Sequence, residues 1–175
     1  AESSIAVVSK ITNATNEDDE MTELLTALRD GEEIKVYAES AGVLVKGEEN
    51  KPLKAGDIIQ YVTNAEGEIT NIRVLFDIDE KGTEKEAEVA ENLRIVYGKV
   101  TKKFSNSMNV TVNGGSVMNF QLPAGVEVYS VDTTLPKNKV SVATAGDIQA
   151  YDEEEGNRVF VRIYKDVVQE VVIIK

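Results

Sequence analysis

Short runs of alternating apolar and polar residues recur along the whole chain and predict β-strands. The run NRVFVRIY at 157–164 is an example, in which Val159, Val161 and Ile163 share one face. Gly, Asn and Asp separate these runs, and Val, Ile, Thr, Tyr and Phe dominate them. The run at 167–174 is apolar at nearly every step, so we expect this strand to be buried on both faces or to lie against a neighbour.

Two hairpins are predicted from their turns. The stretch MNVTVNGGSVMNFQL holds two strands joined at Asn113-Gly114-Gly115, residues that accept the positive φ of a tight turn. The stretch LLTALRDGEEIKVYA has the same form, with strands over 24–28 and 33–38 around Arg29-Asp30-Gly31. Its leucines also suit a helix, but Gly31 would end that helix after about two turns. We therefore predict a strand.

The order of features in the first half of the chain recurs in the second half. VSKIT at 8–12 matches YGKVT at 97–101, the RDG turn matches NGG, and AGDI at 55–58 matches AGDI at 145–148. A common order of turns and apolar steps over this length is costly to reproduce by chance. The sequence therefore predicts an internal duplication, with additional residues in the second copy at roughly 149–157.

The predicted fold is all-β, with two tandem, small antiparallel units of about six strands each, related by this duplication. Each unit is expected to be a barrel or a sandwich, because a unit of this size must close or nearly close its strands to cover their edges. The first unit spans 1–76 and the second 93–175. The charged segment at 77–92 is predicted to be a linker, namely a loop with room for a short helix over 84–92.

The repeated AGD is interpreted as a turn at the entry to a strand. Gly56 and Gly146 would supply a backbone shape that other residues resist, while Asp57 and Asp147 would accept hydrogen bonds from nearby amides. The alternative gives each Asp a role as a ligand or an acid. The turn is favoured because the spacing fits it and no partner group accompanies either Asp.

Composition removes most enzyme chemistry. The chain has no His and no Cys, which excludes the usual proton shuttle, thiolate nucleophiles, Ser-His-Asp and Cys-His arrangements and the usual zinc ligands. The absence of Cys leaves the redox compartment open. A net charge of −12 without a basic cluster disfavours nucleic acid as a partner. No apolar run approaches the ~20 residues of a membrane-spanning helix. We predict no enzyme activity, no nucleic-acid partner and no membrane insertion.

Two acidic stretches, NEDDE at 16–20 and DEEE at 152–155, are the candidates for metal binding. Calcium prefers oxygen ligands, and its candidate ligands here are Asp18, Asp19, Asp152 and Glu154. Neither stretch has the D-x-[DN]-x-[DN]-G spacing that directs several oxygens at one centre. Solvated loops are therefore predicted, with calcium as the alternative and no other cofactor.

The alternative to a non-enzyme is a glycosidase that uses only carboxylates for catalysis. It would need two acids facing each other across ~5–10 Å and aromatic rings for sugars to stack on. The chain has no Trp and only 6% aromatic residues. Its aromatic pairs Tyr61/Phe160 and Tyr37/Phe120 fit the repeat, which predicts core positions for them.

Several stretches together point to a family. VYGKVTKK, MNVTVNGG, VEVYSVD, KVSVATAGDIQAYD and NRVFVRIYKDVVQEVVIIK resemble the β-rich repeat region that accompanies S-layer homology (SLH) domains in surface proteins of anaerobic Gram-positive bacteria. The resemblance covers 94–175 and extends to 5–76 through the duplication. It implies an extracellular, non-catalytic module whose partners are other surface-protein subunits or cell-envelope components. It carries over no catalytic or binding residue.

The expected function is that of a structural or interaction module of a bacterial cell-surface protein of the S-layer type. Ala1 is not an initiator Met, and no basic, apolar leader follows it, so we expect a fragment of a larger exported protein. The exposed side of an apolar strand would also allow oligomerisation. The alternatives are a calcium- or glycan-binding surface module and a structural protein of a phage or virion.

Overall fold

The computed structural model describes residues 3–151 and 157–175, which form β-strands and two short 3₁₀ turns. The described residues contain no α-helix, and hence no helix long and apolar enough to cross a bilayer. The all-β prediction is confirmed. The strands are β1 (Ala6–Thr15), β2 (Met21–Arg29), β3 (Glu32–Tyr37), β4 (Val45–Lys46), β5 (Lys51–Pro52), β6 (Ile58–Thr63), β7 (Ile69–Phe76), β8 (Lys85–Ala90), β9 (Leu93–Lys103), β10 (Ser107–Thr111), β11 (Met118–Gln121), β12 (Glu127–Asp132), β13 (Lys139–Ala143), β14 (Arg158–Tyr164) and β15 (Val167–Ile174).

The chain divides into two compact units, residues 1–79 and 80–175. The boundary falls inside the charged segment at 77–92, for which we expected a loop or a short helix. Instead, β8 lies within this segment and pairs antiparallel with β9. Glu86 and Glu88 are exposed while the residues between and beside them are half-buried, so the segment has the period of a strand. Pairing with β9 provides backbone partners for this segment and overrides its helix propensity.

The first unit contains a five-stranded sheet in the order β3-β2-β1-β6-β7, with all neighbours antiparallel. A parallel bridge between Ala38, which follows β3, and Ile69 of β7 brings the two ends of the sheet together, so the described part of the sheet is curled without closing into a barrel. This order is that of the five-stranded, partly open Greek-key barrels of the OB type. The curl encloses a core formed by the residues Ala6, Val8, Leu25, Ala27, Ala38, Leu44, Leu53, Ile59 and Ile69.

The second unit repeats this arrangement. Its strands β11-β10-β9-β14-β15 follow the same order along the chain and across the sheet, as the duplication predicts. The hairpin β4–β5, which lies between β3 and β6 in the first unit, corresponds in chain position to β12–β13. In the second unit this hairpin is longer and joins the main sheet, because β12 pairs parallel with β15. With β8 on β9, the sheet has eight strands.

Strand β15 is buried on both faces, which confirms one of the two expectations for it. Val171 and Ile173 belong to the core of the second unit, and Val172 and Ile174 on the opposite face are also buried. An apolar residue at nearly every step is typical of such a strand. The core on the first of these faces contains Val96, Val100, Met108, Val110, Phe120, Leu122, Val128, Ile148, Val159, Val161, Ile163 and Val168.

The predicted hairpin turns are present. Asp30 and Gly31 have φ of 53° and 80° and join β2 to β3, which confirms a strand in the leucine-rich stretch. Asn113 and Gly114 have φ of 52° and 68° within the connection between β10 and β11. These left-handed backbone angles explain why Asn, Asp and Gly occupy the turns.

The aromatic pairs behave differently in the two units. Phe120 and Phe160 are buried in the second unit, as expected of core residues. Tyr61 is only half-buried, and Tyr37 is 36% exposed. The expectation of core positions was therefore wrong for Tyr37, because its hydroxyl can hydrogen-bond to water at the surface, whereas Phe120 has no polar group and is buried.

Candidate functional site

Two turns of the first unit have the same geometry. Asn16–Glu20 joins β1 to β2, and Asn64–Glu68 joins β6 to β7. In each turn the Asn side-chain oxygen accepts hydrogen bonds from the backbone N–H groups two and four residues later, at 2.9 and 3.0 Å in the first turn and 3.1 and 2.9 Å in the second. In both turns the backbone N–H of the Asn donates to the backbone carbonyl of the Glu that ends the turn. These bonds fix the shape of both turns.

The fourth residue of each turn has a left-handed backbone, with φ of 60° at Asp19 and 82° at Gly67. The shared pattern of Asn followed four residues later by Glu is the signal in the sequence for this repeated turn. The side chains of Glu17, Asp18 and Asp19 are exposed around it. The acidic stretch at 16–20 is thus a structured hairpin turn.

The two turns and strand β3 line a cavity of about 320 Å³. Its lining has four carboxylates and one lysine, so it repels anions and suits a cation or an uncharged polyol. The half-exposed ring of Tyr37 gives it an aromatic surface. The lining residues are Asn16, Glu17, Asp18, Lys35, Val36, Tyr37, Glu66, Gly67 and Glu68.

The position of this cavity follows from the strand order. In OB-type barrels the loop between the first two strands and the loop between the last two lie beside the third strand, and this surface binds oligonucleotides or oligosaccharides. Asn16–Glu20, Asn64–Glu68 and β3 occupy these places in the first unit. The acidic lining disfavours an oligonucleotide, since its phosphates are anions.

The calcium candidates remain a prediction. Asp18 and Asp19 lie in the first acidic turn, and the structure brings Asp18 close to the second turn across the cavity. Within 3–151 and 157–175, no group of three or more Asp or Glu residues is arranged to hold a metal ion. The other two candidates, Asp152 and Glu154, lie outside the described residues.

A buried cluster of charges in the first unit was not expected from the sequence. The Lys46 ammonium donates to Asp57 at 2.9 Å and to Asp77 at 2.6 Å, and it lies 3.1 Å from the Asp79 carboxylate. The side chain of Lys46 is 2% exposed and that of Asp57 is fully buried. Asp57 also accepts hydrogen bonds from the N–H groups of Lys54 (2.8 Å) and Ile78 (2.9 Å). The AGD turn is therefore confirmed at Asp57, but its carboxylate also has a charged partner.

The electrostatics of this cluster keep Lys46 protonated. Burial alone would lower the pKa of Lys46, but hydrogen bonds to Asp77 and Asp57 outweigh burial and raise it above its usual value. The neighbouring Lys54 forms an ion pair with Asp79 and lowers the pKa of that carboxyl. An ammonium that holds its proton this firmly is neither a nucleophile nor a base near neutral pH. The cluster instead ties the β4–β5 hairpin to the ends of β6 and β7.

The second AGD differs from the first. Asp147 accepts hydrogen bonds from the N–H and the hydroxyl of Thr144, as a turn residue should, and it is exposed. Gly56 has a φ of 98°, whereas Gly146 does not have a left-handed backbone. The expected need for glycine thus holds at Gly56 and is wrong at Gly146, because Gly146 lies in a 3₁₀ turn that any residue can form.

The second unit has two charge clusters of its own. Glu84 is buried and accepts hydrogen bonds from Arg158 Nε and from the N–H of Asn113, both at 2.7 Å. Arg162 and Glu170 form a buried, bidentate ion pair with bonds of 2.5 and 3.0 Å. The first cluster connects the residue before β8 with β14 and with the turn after β10, and the second connects β14 with its neighbour β15. These charges therefore hold parts of the fold together.

The chain matches no family model and shows no significant similarity to a curated protein or to a solved structure. The resemblance to regions that accompany S-layer homology domains therefore stays a prediction from the residues. The site is defined by its own geometry alone: an acidic cavity with an aromatic wall in the first unit, and buried charges that pair with one another in both units.

Proposed function

We propose that the protein is a non-catalytic structural or interaction module of a bacterial cell-surface protein of the S-layer type. It would be displayed outside the cell, and its partners would be other surface-protein subunits or components of the cell envelope. The observation that carries this proposal is the pairing of the buried charges. Lys46, Arg162 and their carboxylate partners are engaged in bonds that connect strands.

The proposal also fits the chemistry of the chain. A catalytic carboxylate or lysine is usually held with a shifted pKa that brings it close to neutral pH. Here the pKa of Lys46 moves away from neutral and that of Asp79 moves down. Two β-units with the same strand order and structured turns are suited to a structural role, in which a folded unit is repeated along the chain.

Cell fractionation tests the proposal. An antibody against the protein is used on intact producing cells, on isolated envelopes and on cytosol, and external protease is added to intact cells in a parallel sample. We expect the protein in the envelope fraction and accessible to the protease. A cytosolic protein protected from protease would contradict the proposal, as would turnover of a glycoside that a single acidic substitution abolishes.

A second candidate function is glycan binding at the acidic cavity, and the observation that favours it is the position of the cavity between the two turns and β3. A glycan array with and without calcium tests it. We expect saturable binding that Tyr37→Ala abolishes and that Tyr164→Ala in the other unit leaves unchanged. Equal binding by both variants, or no binding by the unchanged protein, would exclude this cavity as a glycan site.

A further inference from the structure

Among the described residues, three strands of the eight-stranded sheet in the second unit pair on one side only: β11 with β10, β13 with β12 and β8 with β9. The edges that differ most in charge are those of β13 and β8. An edge strand presents a row of backbone N–H and C=O groups that can pair with another strand. The side chains along the edge then decide which strand is accepted.

The two edges carry opposite charge. The segment 133–146, which contains β13, has the two lysines Lys137 and Lys139 and no acidic residue. Both lysines are exposed. The segment 85–91, which contains β8, has three glutamates, all of them exposed, and one lysine. In a chain of net charge −12, this basic edge is suited to attract the acidic edge of another copy.

Neighbouring charges reduce this contrast without cancelling it. Asp132 lies opposite Lys139 in the sheet, and Arg94 donates to Glu86 at 2.6 Å. Within the described part of the chain, neither Lys137 nor Glu88 belongs to an ion pair closer than 4.0 Å. One charge of each sign is therefore available at these edges.

The basic edge also exposes apolar surface. Val142 on β13 is 52% exposed, and Leu135 in the preceding loop is 45% exposed. On β8 the residues between the glutamates are Ala87 and Val89, which are half-buried. Direct pairing of these two edges would bury apolar side chains and would also bring opposite charges together.

We propose that β13 of one copy pairs antiparallel with β8 of a second copy, so that the sheet continues from one chain into the next. Antiparallel pairing brings the basic start of β13 beside the acidic end of β8, with Lys139 opposite Glu88. Parallel pairing would instead place Lys139 beside Lys85. Because the two edges differ, the contact is heterologous and each copy keeps a free edge for a further copy. The inference rests on the proposed function and names a second copy of this chain as the partner.

Charge reversal tests the pairing in solution. Association is followed by sedimentation over a concentration series up to about 1 mM, since an edge contact of this size is weak. We expect the unchanged protein to associate with concentration. The variants Lys137→Glu/Lys139→Glu and Glu88→Lys/Glu91→Lys should each weaken association about tenfold or more, and the combined four-residue variant should restore it.

Matched controls remove the effect of net charge. Lys10→Glu/Lys102→Glu carries the same net charge as the first variant, and Glu32→Lys/Glu33→Lys the same as the second, with all changes at exposed positions outside the segments 85–91 and 133–146. Both controls should associate like the unchanged protein. Circular dichroism checks that every variant is folded.

Cross-linking decides the geometry, because the chain has no Cys of its own. A mixture of Val140→Cys and Ala87→Cys proteins should form disulfide-linked dimers faster than either protein alone. A mixture of Val62→Cys and Ala87→Cys proteins is the control and should not. A monomer at all concentrations, reversal variants without effect, or equal linking by Val140→Cys alone would overturn the proposal.

The two proposals can fail separately. If the charge variants have no effect while the protein is found on the cell surface, the edge pairing is refuted and the proposed function stands. If the edges pair in solution but the protein is cytosolic, the proposed function is refuted and the pairing stands.

Discussion

At the scale of single residues, Lys46 holds the main charge cluster of the first unit, because its ammonium contacts the three carboxylates of Asp57, Asp77 and Asp79. Asp57 is fully buried, and its nearest cation is Lys46 at 2.9 Å. Removing one partner of a buried pair leaves an uncompensated charge, which costs far more than the pair contributes. The neighbouring Lys51 lies opposite Lys46 in the same hairpin but is exposed, and it provides a comparison.

Lys46→Ala should therefore lower the free energy of unfolding by about 3–5 kcal/mol. Lys51→Ala, on the facing strand, should change it by less than about 0.5 kcal/mol. Urea unfolding followed by circular dichroism measures both. Equal effects of the two substitutions would show that Asp57 is not dependent on Lys46.

Tyr97 should titrate later than an ordinary tyrosine. Burial raises the pKa of Tyr97 to about 12, and its hydroxyl donates to the carbonyl of Lys81 at 2.6 Å. The unfolded chain ionises near its ordinary value of 10.0 while the folded chain keeps the proton. The contribution of Tyr97 to stability is therefore complete below pH 10 and falls as the pH rises towards about 12.

The phenolate absorbance of the folded protein should show this delayed titration. Tyr97→Phe should lower the amplitude of the late step by the contribution of one tyrosine. A late step whose amplitude is the same in Tyr97→Phe as in the unchanged protein, with both still folded, would contradict the burial of Tyr97.

At the scale of elements, β9 and β10 approach each other closely at Gly98. A Cβ added at Gly98 would lie 2.2 Å from the carbonyl oxygen of Thr111. This contact is too short, and only a shift of the backbone can lengthen it. Gly146 in the second AGD turn is a matched case with space, since the nearest atom to its added Cβ is 3.6 Å away. A Gly→Ala substitution would thus clash with the backbone of β10 at Gly98 and make an ordinary van der Waals contact at Gly146.

Gly98→Ala should destabilise the protein by about 1–3 kcal/mol, because β10 must move away from β9. Gly146→Ala should be neutral or stabilising by up to about 1 kcal/mol, since it reduces the freedom of the unfolded chain. Thermal and urea unfolding compare the two. A larger loss for Gly146→Ala than for Gly98→Ala would be incompatible with these backbone positions.

The sequence predicted the strands, the hairpin turns and the repeated order, because alternation and turn residues are local signals. It did not predict β8, since Lys, Glu and Ala favour a helix and only pairing with β9 overrides that preference. The Lys46 cluster was also missed, because its partners are 11 and 31 positions away in the chain. A signal was present, since Leu44 and Lys46 alternate inward and an inward lysine requires a counter-charge.

For the whole molecule, the dominant electrostatic term is repulsion within a chain of net charge −12. Most of its acidic side chains are exposed, so dissolved salt can screen them. The buried pairs are shielded from salt, and they keep their strength as the ionic strength rises. Salt should therefore relieve repulsion more than it weakens attraction.

We expect the free energy of unfolding to rise between about 0.02 M and about 0.5 M sodium chloride. Calcium chloride at matched ionic strength separates screening from binding. Stabilisation beyond that of sodium chloride would support calcium at Asp18, Asp19, Asp152 or Glu154, because a bound ligand stabilises the folded state. Identical curves would exclude calcium, and a fall in stability with sodium chloride would contradict the screening argument.

The ion pair between Arg162 and Glu170 has a consequence for how the last two strands find their alignment. Both strands are apolar on both faces, so sliding one past the other by a single residue would still bury apolar side chains. Such a slip would separate the two charges inside the protein interior, where each would lack its counter-ion. We expect this one polar contact to penalise the misaligned pairings that an all-apolar hairpin would tolerate.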